Sequence, residues 1–147
     1  MRAAFAMKHA EASRREGPAP VINHYRFGSM RASFRPERDA FAWACLDLVP
    51  TARGLADLEV EAGAWGPSIA HEQQLDEVVA SLDTLTTVAA QLMTATLGEI
   101  AALEWQGALL TGRPGSFQLH YWCSAASELL VIVSFEQSRP RRVEIHD

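Results

Sequence analysis

Apolar positions recur with a period of two along most of the chain and with steps of three and four in one stretch. Val21 to Phe27 and Met30 to Phe34, separated by Gly28-Ser29, read as a hairpin. In Phe41 to Val49, Phe41, Trp43, Cys45 and Val49 fall on one face and Ala42, Ala44, Leu46 and Leu48 on the other, which predicts a central strand buried on both faces. Leu55 to Trp65 sets Leu58, Val60, Ala62 and Ala64 against Asp57, Glu59, Glu61 and Gly63, a strand with one wet, acidic face.

Ser68 then stands where an N-cap belongs, and Leu75, Val78, Val79, Leu82, Leu85, Ala89, Leu92 and Met93 form one helical stripe. The spacing predicts one long helix over 68–97, ended by Gly98. Thr84, Thr86, Thr87, Thr94 and Thr96 lose χ1 freedom in a helix and favour a kink or fray in its second half. Strand alternation returns over Ile100 to Leu110, Phe117 to Ser124, Glu128 to Glu136 and Arg142 to His146, with hairpin-length links at Thr111 to Gly115 and Ala125 to Ser127. The sum is an α+β fold: a mostly antiparallel sheet of about five to seven strands packed against one long helix.

Composition narrows this without redirecting it. A chain of 147 residues, 48% hydrophobic and 21% charged, suits one ordinary domain over 21–147. Residues 1–20, Ala-rich and basic and closed by Gly17-Pro18-Ala19-Pro20, read as a flexible N-terminal arm. Arginine supplies all but one of the basic residues, a usage typical of GC-rich coding that predicts a bacterial source. Cys45 and Cys123 form no CxxC pair and follow no secretory leader, and no apolar run approaches membrane-spanning length; both point to a reducing cytoplasm and away from a membrane. A net charge of −5 argues against nucleic acid, which is held by clustered cations.

Few motifs carry chemistry. His120 and Cys123 are the one close His and Cys pair, but three residues along a strand puts them on opposite faces, so no metal site is expected. No GxSxG, GxGxxG or P-loop sequence occurs, and no cofactor is implied. Gly112-Arg113-Pro114-Gly115 matches the GxxG loop of KH domains, yet it joins two strands and Pro114 removes a donor, which makes it a turn. Trp105, His120, Tyr121 and Trp122 are candidates to line a pocket between helix and sheet.

Charge is segregated along the sequence. No Lys or Arg lies between Arg53 and Arg113, while that stretch holds Asp57, Glu59, Glu61, Glu72, Asp76, Glu77, Asp83, Glu99 and Glu104. An acidic surface built on Glu59, Glu61, Glu72, Asp76, Glu77 and Asp83 would suit a basic protein partner. The acidic strand ending in Ala64-Trp65-Gly66, the helix with Glu72 to Glu77, and the hairpins through Phe117 to Trp122 and Leu129 to Val133 together resemble, in element order, small bacterial immunity proteins of polymorphic-toxin systems of the WapI-like kind. That resemblance implies a non-catalytic inhibitor of a cognate toxin. The residues themselves leave two other readings open: a small-molecule binder or small enzyme using the aromatic pocket, and a subunit that oligomerises through a sheet edge.

Overall fold

The computed structural model describes residues 20–98, 102–123 and 129–146. They form a nine-stranded sheet: β1 (Val21–His24), β2 (Gly28–Arg35), β3 (Ala40–Cys45), β4 (Val49–Thr51), β5 (Gly54–Ala62), β6 (Leu103–Leu110), β7 (Phe117–Cys123), β8 (Leu129–Glu136) and β9 (Arg139–His146). The order is β1-β2-β3-β5-β6-β7-β8-β9, with β4 also pairing β5. A 3-10 turn at Pro36–Arg38 joins β2 to β3, and two helices, α1 (Ile69–Ala80) and α2 (Leu82–Leu97), join β5 to β6. The architecture is therefore α+β with a mostly antiparallel sheet, and it differs from expectation in having more strands and two helices. Of the N-terminal arm expected over residues 1–20, only Pro20 is among the described residues; its carbonyl accepts from the Ala32 N–H at 3.0 Å. The Ala125 to Ser127 link also lies outside them.

Register puts Met30, Ala32, Trp43, Leu58, Val60, Ala108, Leu110, Leu119, Tyr121, Val131 and Val133 on one face. Leu75, Val78, Leu82, Leu85, Ala89 and Met93 of the two helices join them in one buried cluster. The predicted stripe is thus real, but the helix breaks at Ser81, whose φ of −103° and ψ of 10° leave the helical region, and the two segments meet at a 75° bend. Among the described residues no single helix is long and apolar enough to cross a membrane.

β5 and β6 run parallel, because the chain crosses over through both helices between them. Gly107 makes this seam: a Cβ there would lie 1.8 Å from the Asp57 carbonyl oxygen, so any larger residue forces the strands apart. A bulge at Gln106 precedes it. Two further expectations are corrected. The first hairpin turns at Tyr25-Arg26-Phe27, where the His24 Nδ1 accepts from the N–H groups of Arg26 (3.1 Å) and Phe27 (3.2 Å), so Gly28 begins β2. The second face of the Phe41 to Val49 segment is only partly buried: Ala42 is buried, but Ala44 is exposed, as are Leu46 and Leu48 beyond the end of β3.

Candidate functional site

Four of the acidic residues segregated in sequence are paired with arginines in space. Arg26 pairs with Asp76, Arg53 with Asp83 at 2.6 Å, Arg35 with Glu59 at 3.7 Å, and Arg38 and Arg113 converge on Glu61 at 2.9 and 3.8 Å. The arginine partners hold the Asp76 and Asp83 carboxyls below their ordinary values. Glu72 is buried and receives the Tyr25 hydroxyl, and Glu77 is exposed without an ion pair among the described residues. The six acids also divide between layers. Glu59 and Glu61 lie on the open face of the sheet, whereas Glu72, Asp76, Glu77 and Asp83 belong to the helices.

The four pocket candidates divide as well. Trp105 and Tyr121 are paired on the helix-facing side; Tyr121 is fully buried, with its hydroxyl 2.9 Å from Thr86 Oγ1 and its pKa pushed by burial to about 12. His120 and Trp122 stand half-buried on the open face. His120 faces Gly107 and Ile132 across the ladder, its Nε2 is buried without a hydrogen-bond partner, and burial holds its pKa below the ordinary value. Glu59, on the same face, is raised by burial despite Arg35.

That open face ends in a cleft of about 410 Å³. Leu109 gives it an apolar side chain on the open face, with the buried Phe117 and Phe135 behind it in the core, Gln118 and Ser134 face each other across the β7–β8 ladder, and Arg38, Arg113, Arg141 and Arg142 reach it from three separate segments. Each arginine has a local cause. Pro36 starts the 3-10 turn and Asp39, at φ 46°, stops it, leaving Arg38 to form a two-point pair with Glu61. A bulge in the β8–β9 ladder leaves Arg141 as the extra residue between Pro140, opposite Phe135, and Arg142, opposite Ser134, so consecutive arginines reach the same cleft.

Arg113 sits on the turn between β6 and β7, and α1 clamps that turn from behind. The Gln74 side chain, almost wholly buried, donates to the carbonyls of Arg113 (2.7 Å) and Ser116 (2.9 Å) and accepts from the N–H groups of Thr111 (2.9 Å) and Gly112 (3.0 Å). All its amide capacity in that direction is used on the backbone of this turn, and it is the partner of the Thr111 and Gly112 N–H groups. One turn earlier, His71 Nδ1 accepts from the Ser68 N–H at 3.0 Å, which leaves Nε2 to donate to the Glu61 carbonyl at 2.8 Å. Gly112 lies against this ring; a Cβ there would come within 3.0 Å of it. The β8–β9 turn closes the rim, with the Ser138 N–H donating to the Gly115 carbonyl at 3.0 Å.

Sequence reading placed no functional role on Gln74, His71 or the cleft arginines. The available signal was slight: His71 and Gln74 continue the apolar stripe toward the N-terminus, and polar residues on a buried stripe must have partners. A second, shallower groove lies along Thr86, Thr87, Ala90, Gln91 and Thr94, with no charged lining. Comparison with known proteins finds no match: no protein-family model, curated protein or solved structure matches the chain.

Proposed function

We propose that the chain is a non-catalytic binding module whose working surface is the cleft at the end of the open sheet face. The observation that carries this is the convergence of four arginines on one cleft whose rim is fixed by the buried Gln74 clamp. A pre-organised rim lowers the ordering cost of binding, and the cleft volume falls in the range of small-ligand sites. The candidate reactive groups are committed elsewhere: Cys45, whose thiol burial pushes to about 12, and Tyr121 lie in the core away from the cleft, and His71 is spent on internal hydrogen bonds.

A second reading keeps the resemblance to immunity proteins and places a basic protein partner on the helix layer. Its support is an exposed apolar group, Tyr25 (81% exposed), Trp65 (60%) and Ile69 (62%), beside the acidic residues of α1. Two charge-reversed variants separate the readings by capture from a cell extract of the source organism: Arg113→Glu with Arg141→Glu on the cleft, and Asp76→Lys with Glu77→Lys on α1. The cleft pair is expected to abolish capture while the helix pair leaves it intact, and the opposite pattern refutes the cleft.

A further inference from the structure

Resting on the cleft as the working surface, we infer that its ligand is a small organic anion, a carboxylate or phosphate monoester carried on an apolar body, with Arg141 as the receiving arm. Charge comes first. The chain as a whole carries −5, yet the cleft lining brings four arginines together with only Glu61 and Glu136. Glu61 is shared by Arg38 and Arg113, so one carboxylate answers two guanidinium groups. Arg142 is paired with Glu144, and Arg141 has no ion pair among the described residues. A positive surplus therefore faces the cleft, and the guanidinium fork matches carboxylate and phosphate oxygens two at a time.

Backbone geometry comes second. A regular β8–β9 ladder would send residues 141 and 142 to opposite faces; the bulge at Arg141 brings both to the cleft, which is the re-aiming that bulges accomplish. The hairpin that carries them turns through Gln137 (φ 52°) and Ser138 (φ 60°), two non-glycine residues in the left-handed region. Size and polarity come third. Leu109, half-buried on the open face, lies among the arginines, so the cleft offers apolar contact to the body of the ligand while Gln118 and Ser134 offer hydrogen bonds to its head. Inorganic phosphate would use the rim and leave Leu109 without a contact.

Titration of the full-length, isotope-labelled chain with four probes tests this by amide chemical shift: phenyl phosphate, benzoate, benzamide and inorganic phosphate. Phenyl phosphate or benzoate is expected to shift the amides of Thr111–Ser116 and Ser134–Arg142 saturably, with benzamide at least tenfold weaker and inorganic phosphate weaker than phenyl phosphate. Which of the two organic anions binds more tightly assigns the head group. Arg141→Ser is expected to weaken binding by about tenfold, as loss of one charge-assisted contact does, with amide shifts outside β9 unchanged as evidence of folding. Equal binding of benzamide, or saturation by neither anion, overturns the ligand class. If an acidic peptide such as poly-glutamate then saturates the same amides, the small-ligand claim falls and the cleft remains the working surface. If those amides answer to nothing in a cell extract either, the cleft reading falls with it.

Discussion

A single glutamine decides how well the cleft is built. Gln74→Ala would leave the half-buried N–H groups of Thr111 and Gly112 without partners, while the Arg113 and Ser116 carbonyls keep the Ser116 N–H and the Thr111 hydroxyl, a loss expected to cost about 2 kcal/mol. Gln74→Glu keeps both acceptors but sets a carboxylate against the Arg113 and Ser116 carbonyls, so it is expected to destabilise as well; urea denaturation of the two variants checks both. Gly107→Ala is expected to cost about 3 kcal/mol or to prevent folding, since the added Cβ meets backbone rather than a movable side chain. At His120 the sign is set by its lowered pKa. Between that value and the ordinary 6.5 the unfolded chain holds a proton that the folded chain does not, so stability falls as pH drops below about 6.5. His24 acts in the same direction and Glu59, with a raised pKa, in the opposite one at lower pH. The difference between wild type and His120→Gln in denaturation at pH 7 and pH 5.5 isolates His120: the variant is expected to lose less stability on acidification.

Elements were legible where one face repeats. Alternation located the strand cores from Val21 to His146, and the stripe from Leu75 to Met93 found the helical layer. The break at Ser81 was not legible, because neither Gly nor Pro marks it and the stripe passes through it in phase. Parallel pairing of β5 with β6 was hidden for a different reason: period two fixes which face a residue takes, not which neighbour its strand chooses. The bulges at Gln106 and Arg141 exist only in relation to a partner strand, so no single segment announces them. The β8–β9 turn offers an element-scale check. Both central residues have positive φ, the geometry that Asn-Gly adopts with least strain, so Gln137→Asn with Ser138→Gly is expected to raise stability by about 1 kcal/mol in thermal or urea unfolding.

At the scale of the molecule, the charge pattern in the sequence and the charge pattern in space differ. Arg26, Arg35, Arg38, Arg53 and Arg113 come from outside the acidic stretch and fold back onto Asp76, Glu59, Glu61 and Asp83. The partners are separated by 23 or more residues in the chain, beyond the reach of local pattern. The candidate site was correspondingly half legible: Glu61 was singled out for its charge, while the arginines that surround it were counted only as the basic flanks of the sequence. The α+β layout leaves one sheet face covered by helices and the other open, and the cleft occupies the end of the open face. Hydrogen–deuterium exchange of the full chain, alone and after incubation with an extract of its source cells, bears most directly on that assignment. Added protection is expected over Thr111–Ser116 and the β8–β9 hairpin, with α1 unchanged; protection confined to α1 and the Tyr25 turn would contradict it.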